Sequence, residues 1–397
     1  MTRLGPFVFP PPPPPPVPAR QALRERYRAD ETSVVGEILA AAELPADALD
    51  RIAETARFLV TAVRQDRLGR GGIDAFLHEY SLSSQEGIAL MCLAEALLRI
   101  PDADTVDRLI RDKIAGADWE RHLGHSDSLF VNASTWALML TGRVVKDEPD
   151  RDLRSMLRRL VSRSGEPVVR QAVTAAMRIL GRQFVMGRTI EEALERARQP
   201  ERQGYRHSYD MLGESARTAA DARRYFDSYG AAIAAIGKAV AGRSVIEAPG
   251  ISVKLSALHP RYEEAQRERA LRELLPALAT LAAQAKASGI GFTIDAEESE
   301  RLDLSLDLIE GLAGDPALAG WQGLGLAIQA YQKRAPPLVD VLAATARRTG
   351  RRLMVRLVKG AYWDSEIKRS QERGLPGYPV FTRKVATDVS YIACARR

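Results

Sequence analysis

Four apolar runs in the second half of this chain each carry one or two polar side chains of a kind that does chemistry. Lys254 closes Ile-Ser-Val-Lys, Asp295 and Ala296 close Phe-Thr-Ile-Asp-Ala, Gln329 closes Leu-Ala-Ile-Gln, and Arg356 sits inside Leu-Met-Val-Arg-Leu-Val. A charge in a buried strand is costly unless a partner is always present. Any one of these residues alone reads equally well as a satisfied core ion pair. Four at comparable depth are harder to dismiss, because each must find a partner near one mouth, and the run from Arg356 to Trp363 reads as the rim of a cofactor site at the carboxyl end of a strand. After Arg356 the chain turns at Lys359-Gly360-Ala361, a small-residue corner that lets backbone approach a ligand closely. Two aromatics, Tyr362 and Trp363, follow.

The elements that must hold these residues alternate. Apolar, β-rich runs at 250–256, 291–296, 323–330 and 352–359, with a weaker one near 379–383, are separated by helical patterns at 262–288, 299–313, 337–349 and 364–373; a helix at 384–396 follows. This alternation implies parallel strands joined by right-handed crossovers, and strands apolar on both faces imply a sheet covered by helices. With no Gly-x-Gly-x-x-Gly turn after the first strand, a (β/α)8 barrel is favoured over a dinucleotide-binding fold. In a barrel, reactive side chains gather at the carboxyl ends of the strands.

Upstream, residues 21–185 are helical in pattern. Ser83 and Glu86 form a capping-box spacing before the run 88–100, and Pro101 ends it. Trp119 and Trp136 read as core anchors, and 153–162 and 167–180 as arginine-faced helices. Seven consecutive prolines, Pro10 to Pro16, predict a polyproline II tail. The expected domains are a disordered tail at 1–20, a helical arm at 21–65, a helical domain at 66–185 and an incomplete barrel at 186–397.

The chain has 397 residues and a net charge of +6, spread over arginines interspersed with acids. That pattern reads as solvated helix faces and argues against a basic nucleic-acid patch. Cys92 and Cys394 make no disulfide framework, and the five histidines give no metal-ligand spacing, so no metal is expected. No apolar run approaches the ~20 residues of a membrane span. A cytoplasmic protein is the expectation.

The runs Ile251–Tyr262, Phe292–Glu298, Ile328–Arg334, Arg356–Trp363 and Phe381–Lys384, with Arg206–Glu214 leading in, resemble the proline dehydrogenase domain of the bifunctional proline utilization A flavoenzymes. The resemblance implies a barrel of that type, preceded by an all-α arm and helical domain. It also implies FAD-dependent oxidation of L-proline to 1-pyrroline-5-carboxylate, with electrons passed on to membrane quinone at the inner membrane face, and a homodimer formed through the helical arm. By the same resemblance, Lys254 binds the substrate carboxylate, Asp295 orders the polar network, and Arg356 stands beside the hydride-accepting flavin nitrogen. Tyr362 packs on the proline ring and Glu214 closes the site. Ala296, Gln329 and Val358 resemble flavin contacts. Lys359, Gly360, Ala361 and Trp363 resemble the segment holding FAD, and Thr382, Arg383 and Lys384 the stretch near its ribose and phosphates.

The sequence also departs from the family. It stops within the helix after the expected fifth strand, so the barrel is expected to be truncated after about the fifth βα unit. The final helix whose tyrosine and two arginines clamp the proline carboxylate is not in it. Losing two charge-assisted contacts would cost about 1.5–3 kcal/mol each. The alternative expectation is therefore a catalytically inactive fragment that retains dimerisation or partial FAD binding. The proline-rich start cannot supply the strand of a ribbon-helix-helix repressor, so no DNA-binding domain is expected. A different reading is a barrel enzyme for another anionic metabolite, with Arg356 and Lys359 on its phosphate.

Overall fold

The four stronger apolar runs that alternate with amphipathic helices become strands of one parallel sheet. The structure is a computed structural model describing residues 18–69 and 185–397, apart from 214 and 241. The chain divides into two units: residues up to Leu44 together with Arg198–Arg397, and Pro45–Ala197. The second unit includes helix α3 (Ala46–Gly69).

The first unit opens with α1 (Pro18–Glu25) and α2 (Glu31–Ala42). After α4 (Ile190–Arg202), five strands alternate with helices. These are β1 (Ser208–Asp210), α5 (Ala219–Lys238), β2 (Gly250–Val253), the short α6 (Leu255–Leu258) and α7 (Arg267–Ala287). They continue with β3 (Gly291–Ile294), α8 (Leu302–Gly314), β4 (Leu324–Gln329), α9 (Ala335–Thr349), β5 (Met354–Val358) and α10 (Trp363–Glu372). Helix α11 (Lys384–Arg396) follows. The sheet order is β1-β2-β3-β4-β5, every neighbouring pair parallel. This is five βα units of the barrel type expected from the alternation.

Burial follows position in the sheet. All six residues of central β4 are buried, whereas β1 and β5 at the two edges keep exposed positions. Leu274, Leu278, Leu281, Leu304, Leu308 and Leu312 on α7 and α8 supply much of the helical layer and are fully enclosed. Helix α2 lies on a separate core with α11, where Val34 and Ile38 meet Phe381, Ala386 and Ala393.

Two element boundaries differ from expectation. The weak strand at 379–383 is irregular backbone with one isolated antiparallel bridge, Gln332 to Val380. Gly374 and Gly377 take positive φ on one side of it, and Pro376 and Pro379 have no N–H to give a ladder. The fifth strand is instead β1, three residues too short for any periodicity to register. The run at 250–256 also ends early, because Leu255 already begins a helical turn. Among the described residues, no helix is long and apolar enough to cross a membrane. The proline run, the capping box at Ser83 and both tryptophans of the helical region lie outside the described residues.

Candidate active site

Parallel register brings the strand ends to one level: Ser252 lies beside Asp210 and beside Thr293, and Ala327 beside Arg356. Lys254 and Asp295 each stand just beyond a strand end. The Asp295 N–H donates to the Val253 carbonyl at 3.0 Å, and the Lys254 N–H to the Tyr229 hydroxyl at 3.2 Å. Their backbones are thereby fixed to neighbouring elements before the side chains interact.

The side chains form one chain of charge. Lys254 Nζ lies 2.8 Å from Asp210 Oδ1 and 3.2 Å from Asp295 Oδ2. The other Asp295 oxygen, Oδ1, accepts from Arg356 Nη1 at 3.1 Å. Arg356 Nη2 donates to the hydroxyls of Ser208 and Ser252 at 2.9 and 3.0 Å, and these hydroxyls lie 3.1 Å from each other. Among the described residues, two cations thus face two carboxylates. Burial pushes the Asp295 carboxyl above its ordinary value; Lys254 opposes this, Asp210 adds to it, and Arg356 opposes it. The Arg356 side chain remains 40% exposed, so its guanidinium still faces open space at the mouth.

A second group fixes the corner after β5. Gln329, fully enclosed, donates from Nε2 to the Glu297 carbonyl at 2.9 Å and accepts the Ala361 N–H at 3.1 Å. It therefore ties the loop after β3 to the loop after β5. Ladder bonds continue past the strands: Ala330 N–H donates to the Val358 carbonyl at 2.8 Å, and Tyr331 N–H to the Lys359 carbonyl at 2.7 Å. Gly360 sits at φ 145°, and a Cβ there would lie 2.4 Å from the Tyr331 ring. Only glycine meets both conditions. Tyr362 follows; burial chiefly, with Glu297 and Glu298, pushes its phenol up to about 12, with Lys254 pulling it down.

A third group forms a basic, aromatic rim. Lys359 and Lys384 share the Asp388 carboxylate at 2.5 and 3.1 Å, and Arg383 is exposed beside them. Trp363 donates from its indole to the Phe381 carbonyl at 2.9 Å yet leaves 43% of its surface open. Thr382 offers its N–H and its hydroxyl to Glu31.

The structure therefore joins Lys254, Asp295 and Arg356 directly, with Ala296 half-buried in the residue after Asp295 and Tyr362 within electrostatic reach. It places Lys359, Thr382, Arg383 and Lys384 apart, around the first turn of α11. Glu214 lies outside the described residues. Sequence reading missed Ser208, Asp210, Ser252, Glu297, Asp388 and Glu31. Ser252 carried a signal, since it stands two before Lys254 and shares its face of an extended strand; Ser208 and Asp210 have the same spacing. Asp388 and Glu31 carried none, being ordinary acids on helices.

Comparison with known proteins gives these features a family. Residues 193–397 match the family described as proline dehydrogenase, and residues 18–64 match the proline utilization A proline dehydrogenase N-terminal domain. Residues 72–184 match the family described as the DNA-binding domain of proline dehydrogenase. This match corrects the expectation that no such domain is present. That expectation looked for an N-terminal strand and a concentrated basic cluster, and the matched segment shows neither signal. The chain is 55% identical over 382 residues to the bifunctional protein PutA of Escherichia coli K12, covering 96% of this chain and 29% of that protein. It is 54% identical over 373 residues to PutA of Rhizobium meliloti, covering 94% and 30%. A solved variant of proline utilization A from Bradyrhizobium japonicum superposes with a TM-score of 0.67 at 49% identity, covering 97% of this chain and 37% of that one. The chain thus spans less than a third of the length of these two curated relatives, and within that span it belongs to the proline dehydrogenase family.

Proposed function

We propose that this site oxidises L-proline to 1-pyrroline-5-carboxylate with FAD as cofactor, the electrons then passing to a membrane quinone. The observation that carries the reading is Asp295 bridging Lys254 and Arg356 at the strand ends, within a segment matched to the proline dehydrogenase family.

The residues present fit a flavin dinucleotide. Lys359, Arg383 and Lys384 offer three cations against the carboxylates of Asp388 and Glu31, a surplus suited to a diphosphate. The half-open Trp363 indole gives a flat surface beside it. Ala296, Gln329, Val358 and Ala361 would line the flavin end, with Thr382 to Lys384 at the phosphates. FAD, when bound, supplies the hydride acceptor.

Forming the carbon–nitrogen double bond removes a hydride from a ring carbon, to be accepted by FAD, and a proton from the ring nitrogen, which is released to water at the open mouth of the site. Lys254 binds the proline carboxylate by exchanging its Asp210 contact for it, while its Asp295 contact stays. Asp295 keeps Lys254 and Arg356 at fixed separation. Arg356 holds a positive charge where negative charge develops, without reorganising during the reaction. Tyr362 covers the ring, and Glu214 would close over it. Leu49, Ile52, Leu59, Val60 and Val63 leave an exposed apolar face on α3, which supports a homodimer formed through the arm. A quinone acceptor would place the protein at the membrane surface. The domain limits expected from sequence, with a barrel from 186 and an arm at 21–65, complete this reading.

The test is an FAD titration of the purified chain followed by flavin fluorescence. Saturable quenching that weakens in Lys359→Ala/Lys384→Ala is expected. A chain that takes up no flavin would contradict the reading.

A further inference from the structure

The loop 374–382 is poorly equipped to hold itself. Gly374 and Gly377 lie at φ 58° and 71°, and Pro376 and Pro379 donate no backbone bond. On its inner side it is tied by the Val380–Gln332 bridge, by Lys333 N–H to the Pro379 carbonyl, and by Phe381 N–H to the Tyr331 carbonyl. Its outer side is held by residues from the other end of the sequence. Arg28 Nη1 donates to the Gly377 carbonyl at 2.9 Å and to the Ser370 hydroxyl at 3.1 Å. Lys333 Nζ donates to the Ala29 carbonyl at 2.9 Å. Glu31, 351 residues before Thr382, accepts its N–H at 3.0 and 3.1 Å and its hydroxyl at 3.1 Å. Glu31 is itself fixed: it opens α2, whose first turn is capped by Asp30 accepting the Ser33 N–H, and α2 packs through Val34 and Ile38 on Phe381 and α11.

We propose that Arg28–Glu31 is a strap that positions the cofactor loop. Glu31 is then a positioning residue for FAD, acting through Thr382 and the first turn of α11. This rests on the FAD reading above. Its physical basis is preorganisation: a loop already held in its binding shape loses less freedom when the ligand arrives. A carboxylate receiving both Thr382 donors sets the direction of Arg383 and Lys384, the two cations that follow.

The test measures FAD affinity by fluorescence quenching, and backbone amide exchange across 378–384 without FAD, in the 397-residue chain. The variants are Glu31→Ala, Glu31→Gln, and Glu37→Gln as a control on the same helix. Glu31→Gln keeps side-chain length and one acceptor, and carries the test should the alanine variant not fold. Glu31→Ala is expected to weaken FAD binding about tenfold and to speed exchange at 380–384 by a similar factor; Glu31→Gln should do both to a smaller degree, and Glu37→Gln neither. FAD affinity within about twofold of the parent overturns the proposal. So does tighter binding, which would mean that the carboxylate competes with the phosphates. If the parent chain itself binds no FAD, the cofactor reading fails separately. Exchange alone then judges the strap: faster exchange upholds it and unchanged exchange removes it.

Discussion

Arg356 reaches Asp295 at 3.1 Å while the opposite oxygen of the same carboxylate holds Lys254 at 3.2 Å. One acid thus sets the separation of two cations that have different tasks. Arg356→Met should lower the rate of flavin reduction by about 10²–10³, the typical effect of removing a preorganised charge. Removing a cation also raises the Asp295 carboxyl, which burial already holds above its ordinary value. Since Asp295 serves while ionised, the acid limb of proline affinity should move to higher pH in this variant. Rapid-mixing reduction across a pH series reads both effects; an unmoved acid limb would remove Asp295 from the account.

Tyr362 gives a contrasting pH expectation. Burial and nearby carboxylates keep its phenol neutral up to about 12. Tyr362→Phe keeps the ring that packs on proline, so proline affinity should stay within about threefold, with no change in the shape of the pH profile below that value. A shifted alkaline limb in the phenylalanine variant would show that the phenol titrates in function.

Gly360 should tolerate no side chain. Gly360→Ala meets the Tyr331 ring at 2.4 Å and keeps a φ of 145°. We expect a loss of about 1–3 kcal/mol of stability from the backbone alone. Adding Tyr331→Ala should recover only the steric part. Denaturant melts of the single and double variants check this; full recovery in the double variant would rule out backbone strain.

Beside the site, Arg334 is fully buried, its guanidinium 4.4 Å from the centre of the Tyr27 ring and 3.0 Å from Asp303, and it donates to the Ser299 carbonyl. Burial would raise the Asp303 carboxyl, but Arg334, Arg24 and Arg20 outweigh it and hold the group below 3.8. A carboxyl lowered in the folded state contributes stability that is complete above 3.8 and lost as pH falls through its folded value. Asp303→Asn should cost about 3–5 kcal/mol at neutral pH by stranding a buried cation. That difference should shrink as pH falls below 3.8. Thermal melts of both proteins at several pH values measure it; a gap independent of pH would contradict the ion-pair explanation.

Much of the site was legible because its residues break a rule locally. Lys254, Asp295, Gln329 and Arg356 interrupt apolar runs, and that interruption is visible without coordinates. Strand β1 was not legible: Ser208–Asp210 is a three-residue edge with only Tyr209 buried, so it shows no hydrophobic rhythm. The run at 379–383 misled in the opposite sense, because apolar content suggested a strand while its prolines and glycines forbade a ladder. Glu31 and Asp388 were invisible because their meaning lies in tertiary partners. An acid on an exposed helix face looks the same whether or not it grips a loop 351 residues away.

The central claim is that this cluster of cations and acids delivers hydride from proline. Anaerobic single-turnover mixing of the FAD-loaded chain with L-proline, carried to high proline concentration so that weak binding does not mask chemistry, tests it most directly. The account predicts loss of the oxidised-flavin absorbance at a rate that saturates with proline, with Arg356→Met retaining FAD but reducing it far more slowly. Flavin that binds and stays oxidised at every proline concentration would contradict it and leave an inactive, cofactor-binding chain.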